Sequence, residues 1–145
     1  MYASKQSQPT STVVCLIKVQ QVPTYNLVLE KREGYLYACV TAEVITLQMV
    51  VEYLNRISQA ARESHSGRLL FVRRTPLMDS ISDYELAANL LRNMLPAGTK
   101  IAIVDENDND PGEAKQKLQV LSSRGLNARA FGNISDAEHW LLDNE

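Results

Sequence analysis

The sequence has few of the residues that build metal sites and disulfide frameworks, and no long hydrophobic run. It contains two cysteines and two histidines in 145 residues, and their spacing is not that of metal ligands. Cys15 and Cys39 lie in strand-like segments, which indicates buried thiols in a reducing compartment. No segment approaches the roughly 20 consecutive apolar residues that cross a bilayer. The sequence therefore predicts neither a metal centre nor a transmembrane protein.

An excess of positive charge is also absent. The chain carries 15 lysines and arginines against 17 acidic residues, a net charge of −2, whereas a protein that coats nucleic acid needs clustered positive charge. The N-terminal residues are polar and lack the apolar stretch of a signal peptide. We expect residues 1–11 to be a disordered tail and residues 12–145 to be a single cytoplasmic domain that binds no nucleic acid.

Motifs of known catalytic chemistry are missing as well. The sequence has no Gly-x-Ser-x-Gly segment, no glycine loop that cradles a phosphate and no Rossmann fingerprint. His65 and His139 are far apart in the sequence, and each lies on a predicted helix. We therefore expect a protein that is not an enzyme and uses no cofactor.

Hydrophobic patterning predicts strands in the first part of the chain. Three short segments rich in β-branched and aromatic residues, at 12–19, 25–32 and 35–40, are separated by turn residues that include Pro23 and Gly34. This pattern predicts an antiparallel meander. A homodimer through the exposed edge of the N-terminal strand is compatible with it.

Helices alternate with strands in the rest of the chain. Residues 46–67 predict a helix that Thr46 caps and that buries Leu47, Val50, Val51, Leu54, Ile57 and Ala61. The segments that follow are strands at 68–72, 100–104 and 128–131, and helices at 83–95, 111–125 and 136–144. Strands separated by helices are parallel neighbours with helical cover. The predicted fold class is α/β, with a mixed sheet in which an antiparallel meander precedes βαβα units.

Three of the predicted helices begin with the pattern of a capping box, in which an oxygen-bearing cap precedes a glutamate by three residues. The predicted caps are Ser82, Asp110 and Ser135. In the helix that Ser82 would start, the inward residues are Leu86, Leu90, Leu91 and Met94.

The order of elements and two segments, "LPAGTKIAIV" at 95–104 and "LSSRGLNARAFGNISDAEHWL" at 121–141, resemble the STAS domain, and most closely its SpoIIAA-like branch. The resemblance covers roughly residues 25–143. It implies a STAS/SpoIIAA-like topology and a non-enzymatic regulatory domain that binds a protein kinase or an anti-sigma-type protein. The superfamily also includes lipid-binding Sec14-type domains, which makes a small-molecule or lipid-binding domain the alternative.

The resemblance implies a switch serine after a central strand, at the start of the next helix, in an Asp-Ser-Ser-Gly loop. The corresponding segment here is "TPLMDSISDYE" at 75–85, where Asp79, Ser80 and Ser82 replace that motif. A phosphate at a helix N-terminus is stabilised by free backbone N–H groups, and its charge would repel an acidic partner. The alternative is that Asp79 and Ser80 form a loop and Ser82 caps the helix. Ser80 is the stronger candidate for phosphorylation.

Two arginines lie at the end of the strand before this loop. Arg73 and Arg74 lie at the carboxyl end of a predicted parallel strand, where open α/β sheets bind ligands, and could hold a small anion or a lipid headgroup. The alternative is an ion pair with Asp79, Asp83 or Asp105. Counted from Asp105, the acidic segment departs from a calcium-binding loop at its sixth position, Asp110, and its twelfth, Gln116. Because it follows the next strand at the same end of the sheet, we expect loops 75–83 and 105–110 to form a partner-facing surface.

Overall fold

The boundaries of the strands and helices follow the changes of hydrophobic period along the chain. The structure, a computed structural model, describes residues 24–76, 81–105, 119–120 and 125–143. Its strands and helices are β1 Asn26–Arg32, β2 Tyr35–Thr41, α1 Leu47–Ser64, β3 Arg68–Arg74, α2 Ile81–Met94, β4 Lys100–Asp105, β5 Asn127–Phe131 and α3 Ile134–Leu142. The predicted tail at 1–11, the predicted strand at 12–19 and most of the predicted helix at 111–125 lie outside the described residues.

The five strands form one mixed sheet in the order β1-β2-β3-β4-β5. β1 runs antiparallel to β2, and each later strand runs parallel to the one before it. Gly34, in the turn between β1 and β2, has a φ of +89°, a left-handed conformation that glycine adopts without a steric penalty. The predicted α/β class and mixed sheet are confirmed, and the described part of the meander is the β1–β2 hairpin.

Alternating side chains of the sheet bury two apolar clusters, one on each face. Beneath α1 and α2 the strands contribute Leu36, Ala38, Val40, Leu69, Phe71, Ile101, Ile103 and Ala128. Beneath α3 they contribute Tyr35, Tyr37, Cys39, Leu70, Val72, Ala102 and Val104. Burial on both faces explains why β3 and β4 are almost continuously apolar rather than alternating.

The buried stripe of α1 differs from the predicted one. The residues that α1 buries are Met49, Val50, Tyr53, Leu54, Ile57, Ser58 and Ala61. Leu47 and Val51, which the apolar pattern placed inside, are 37% and 36% exposed. The helix instead turns Tyr53 inward, where its ring packs against Phe71 at a centroid distance of 6.0 Å. An aromatic ring buries more apolar surface than a valine, which favours this rotation.

The predicted stripe of α2 is confirmed at Leu91 and wrong at Leu86, for the same kind of reason. The buried residues of α2 are Tyr84, Ala87, Ala88 and Leu91. Leu86, which was predicted to be inside, is 40% exposed, and Leu90 and Met94 are partly buried. Alanines give a weak apolar signal in a sequence, but small side chains let a helix lie close to its neighbour.

The starts of α1 and α2 test two of the predicted caps. Thr46 is the N-cap of α1, and its Oγ1 accepts a hydrogen bond from the Met49 N–H at 3.2 Å, as predicted. The prediction for Ser82 is wrong, because α2 already begins at Ile81 and Ser82 lies exposed within its first turn. The predicted cap Asp110 lies outside the described residues.

The predicted cap of α3 is also wrong. Asn133, not Ser135, precedes the helix, and its side-chain oxygen accepts a hydrogen bond from the Asp136 N–H at 2.8 Å. Glu138, the glutamate of the predicted capping box, instead accepts a hydrogen bond from the Tyr35 hydroxyl at 2.6 Å. A tertiary contact to β2 therefore engages the side chain that the local pattern assigned to capping.

A lysine from the sheet holds the C-terminus of α3. Lys100 Nζ, at the first residue of β4, donates to the carbonyl oxygens of Trp140 at 2.8 Å and Asp143 at 3.0 Å. The ammonium group also lies 4.5 Å from the centroid of the Trp140 ring. A cation at a helix C-terminus compensates for carbonyls that have no partner within the helix. This contact fixes α3 to the amino end of β4.

Ser58 provides a test of the packing beneath α1. The residue is 0% exposed, and its hydroxyl has no hydrogen-bond partner among the described residues. A buried unpartnered hydroxyl costs about 1–3 kcal/mol, so we expect Ser58→Ala to keep the free energy of unfolding or raise it by about 1 kcal/mol. Ala88→Ser, which adds a hydroxyl at an equally buried helical position, should lower it. Urea denaturation measures both; a clear loss in Ser58→Ala would contradict the prediction.

Candidate functional site at the carboxyl edge of the sheet

Polar residues end two neighbouring parallel strands, and the register brings them together. Arg73 of β3 lies opposite Asp105 of β4. The name carboxyl edge is used for the ends of β2, β3 and β4 and the described residues that follow them. It comprises residues 41–46, 73–76 and 105. Ligands and partners of open α/β sheets bind at this edge, since the strands there lead into connections of variable sequence.

A buried ion pair lies at the carboxyl edge. Arg73 Nη1 is 3.0 Å from Asp105 Oδ2, and the two side chains are only 4% and 5% exposed. Charges that leave water are costly unless they attract each other closely and their remaining hydrogen-bonding groups are satisfied. The pair therefore joins the ends of β3 and β4 through a contact that water does not reach.

Two tyrosines from the helices surround the guanidinium. Tyr53 of α1 and Tyr84 of α2 are each 2% exposed, and Arg73 Cζ lies 6.0 Å from the centroid of the Tyr84 ring. Burial alone lowers the pKa of Arg73, but the surrounding tyrosine and carboxylate oxygens outweigh burial and hold that pKa above its ordinary value. Burial raises the pKa of Tyr53, although the nearby guanidinium opposes this effect. The arginine is therefore charged and Tyr53 neutral at physiological pH.

The same guanidinium holds the start of the connection from β3 to α2. Arg73 Nη2 donates to Thr75 Oγ1 at 3.0 Å and to the carbonyl oxygen of Pro76 at 3.3 Å. Thr75 is 0% exposed, and its hydroxyl donates to the Pro76 carbonyl oxygen at 3.1 Å. One side chain thus joins the end of β4 to the first residues of the β3–α2 connection.

The two predicted anion-binding arginines lie on opposite faces of the sheet. Arg73 shares the side of Phe71 beneath α1 and α2, and the next residue, Arg74, points to the other side and is exposed. Asp105, one of the three acidic residues named in the ion-pair alternative, contacts Arg73. Anion binding by the two arginines stays a prediction, and an anion at Arg73 would have to compete with Asp105.

The predicted switch loop is only partly within the described residues. Ser82 is exposed in the first turn of α2, and Asp83 is partly buried beside it. Asp79 and Ser80 lie outside the described residues. Phosphorylation of Ser80 or Ser82 stays a prediction.

Exposed apolar side chains accompany the charged residues at the carboxyl edge. Val44, in the connection after β2, is 60% exposed, and the partly exposed Leu47 and Val51 follow it at helical spacing in the first two turns of α1. Sequence reasoning placed the two α1 residues in the core and did not consider Val44. These side chains are exposed apolar area that a protein partner could cover.

Groups able to bind a metal do not cluster in the described part of the chain. No three of its histidine, cysteine, aspartate and glutamate side chains come together as metal ligands. Cys39 is a buried free thiol, His65 follows α1 in a left-handed conformation, and His139 lies in the last turn of α3. Within the same residues, no helix is long and apolar enough to cross a membrane.

Sequence reasoning missed the tyrosines and Thr75. The available signal was the alternation in "RLLFVRR" at 68–74, which places Arg73 on the same side as Phe71 and therefore against a helical layer. Which side chains complete the cluster depends on how α1 and α2 rotate, and Tyr53 and Tyr84 face inward because of that rotation.

Comparisons with known proteins agree with the observed architecture. No protein-family model and no curated protein matches the sequence. One similar solved structure is an anti-sigma factor antagonist from Mycobacterium paratuberculosis, with a TM-score of 0.58 and 12% sequence identity, over 83% of this chain and 96% of that chain. At this identity the likeness shows the fold alone: the chain shares the fold of that anti-sigma factor antagonist, as the resemblance predicted.

Asp105→Asn tests the ion pair. The substitution keeps the shape of the side chain and leaves the buried guanidinium without its counter-charge, so we expect it to lower the free energy of unfolding by about 3–5 kcal/mol. The control is Glu30→Gln, which breaks the Arg32–Glu30 pair, whose side chains are 39% and 50% exposed; about 1 kcal/mol or less should be lost there. Chemical denaturation of both variants checks the prediction, and equal losses would contradict it.

Proposed function

We propose that this protein is a non-catalytic regulatory module that binds a protein partner through the carboxyl edge of its sheet. The observation that carries the proposal is the fold likeness to an anti-sigma factor antagonist. The proposed partner is a cytoplasmic protein kinase or an anti-sigma-type protein. The contact surface consists of loops 75–83 and 105–110, together with the exposed residues that border them.

The described residues of the carboxyl edge support a protein-binding surface. Arg74 provides a positive charge at the end of β3, and Val44 and Leu47 provide exposed apolar area at the start of the helical layer. Interfaces combine an apolar centre with a polar rim, which these side chains could supply together. The ends of β2 and β3 are joined there, since the Ala42 N–H donates to the carbonyl oxygen of Arg74 at 3.2 Å.

Phosphorylation of a serine is the proposed switch. The candidates are Ser80, from the family resemblance, and Ser82, whose exposed hydroxyl lies in the first turn of α2. Free N–H groups and the helix dipole would stabilise a phosphate at this helix start. The added negative charge would repel the acidic partner surface that faces Arg74 and so weaken binding.

Binding of a small anionic or lipid ligand stays the alternative prediction. Arg73 already donates to Asp105, Thr75 and Pro76, so no described contact favours a ligand over the internal pair. A molecule that co-purifies with the chain and is retained in native mass spectrometry would favour the alternative. So would thermal stabilisation by phosphorylated metabolites or lipids.

The partner proposal is tested by affinity capture with the whole chain as bait. We expect capture from the native host of a protein that mass spectrometry identifies as a kinase or an anti-sigma-type regulator. Arg74→Glu should weaken its binding about tenfold, because it reverses a charge on the proposed surface. Lys31→Glu makes the same change in charge on the exposed β1 strand, at the opposite end of the sheet, and should leave binding unchanged. Equal effects of both variants would refute the proposed surface.

The switch is tested by phosphorylation with the captured kinase. We expect the intact mass of the chain to increase by one phosphate, and either Ser80→Ala or Ser82→Ala to abolish the increase while the other variant keeps it. Loss of modification in one variant alone identifies the serine. An unchanged intact mass, both for chain purified from the native host and after incubation with the kinase, would rule out the switch.

A further inference from the structure

We propose that Arg73 and Asp105 are positioning residues of the carboxyl edge, because their buried contact sets where the connections after β3 and β4 leave the sheet. The biological meaning of this inference rests on the proposed function, which assigns the partner surface to those connections. The test of the inference does not rest on the proposed function, because hydrogen exchange at the carboxyl edge can be measured without a partner.

The Arg73 guanidinium contacts three acceptors, one at the end of β4 and two just after β3. Nη1 of the guanidinium donates to Asp105 at the end of β4, at 3.0 Å. Nη2 donates to Thr75 and Pro76 after β3, at 3.0 and 3.3 Å. A guanidinium is planar, with its donors in a fixed fork, so the positions of its acceptors are set relative to one another. A lysine ammonium, a point charge on a flexible stem, does not impose this arrangement.

Contacts other than this pair also hold β3 and β4 together. β3 and β4 are already joined over the whole register from Arg68–Lys100 to Arg73–Asp105. Their apolar residues are packed on both faces. Well-packed apolar side chains of similar volume often replace a buried ion pair with no loss of stability. What an ion pair adds at this place is therefore one defined arrangement of the two strand ends.

The principal test is the double variant Arg73→Met/Asp105→Leu, studied by amide hydrogen exchange with the whole chain. We expect a smaller loss of melting temperature than in Asp105→Asn, because neither charge is left unpaired. Amide exchange in the peptides that begin at Arg74 and at Asp105 should be about tenfold faster, since the starts of both connections lose the side-chain contact that joins them. Exchange in the central residues of β3 should not change.

Arg73→Lys provides a second variant, in case the double variant does not fold. It keeps the positive charge opposite Asp105 and removes the fork that also reaches Thr75 and Pro76. We expect the exchange rate of the peptide that begins at Arg74 to rise severalfold, with a smaller change in the peptide that begins at Asp105.

The matched control is Lys100→Met, which removes a cation with two carbonyl contacts at the opposite end of β4. It should lower the melting temperature without accelerating exchange at the carboxyl edge. Equal acceleration in Lys100→Met would show general loosening and overturn the inference. If amide exchange at the carboxyl edge stays at the wild-type rate in both Arg73 variants, the inference is also overturned.

The outcomes separate this inference from the proposed function. Faster exchange in the Arg73 variants with unchanged partner capture would show that the pair positions the edge but that the partner binds elsewhere. Unchanged exchange, with capture still weakened by Arg74→Glu, would leave the partner surface standing and reject the positioning role.

Discussion

The contact between Arg73 and Asp105 is the constraint on which the geometry of the candidate site depends. It places a charged group where the strands are otherwise apolar, so the surrounding residues must satisfy that charge. Tyr53 and Tyr84 meet this need from the helices, and Thr75 meets it from the chain that follows β3. The end of the sheet is thereby coupled to both helices of one layer.

This arrangement suits a domain that acts by presenting a surface. The sheet is covered by α1 and α2 on one face and by α3 on the other, so its carboxyl edge is where connections can vary without disturbing the core. In the proposed function, a defined start for each connection would limit the conformations that a partner has to select and so lower the entropic cost of binding. Exposed Val44 and Arg74 lie at the same edge, and their chemistry fits a protein surface.

Particular elements show how far sequence reasoning reached. The strand "KIAIV" at 100–104 was identified because a short apolar run between turn residues is typical of a strand buried on both faces. The rotations of α1 and α2 were not identified from the sequence, because the exposed Leu47, Val51 and Leu86 are as apolar as the residues that the helices bury. Capping patterns located helix starts to within a few residues, but neighbouring polar side chains match the same spacing, as Asn133 and Ser135 do.

Local hydrophobic period and turn chemistry can be read from the residues, and they predict the alternation of strands and helices, the α/β class and the position of Arg73 at a strand end. The burial of Arg73 and its pairing with Asp105, 32 residues further along, are visible only in the folded chain. The surroundings of a charge are set by the strand register and by the inward rotation of two helices. Both depend on packing between segments that are distant in the chain.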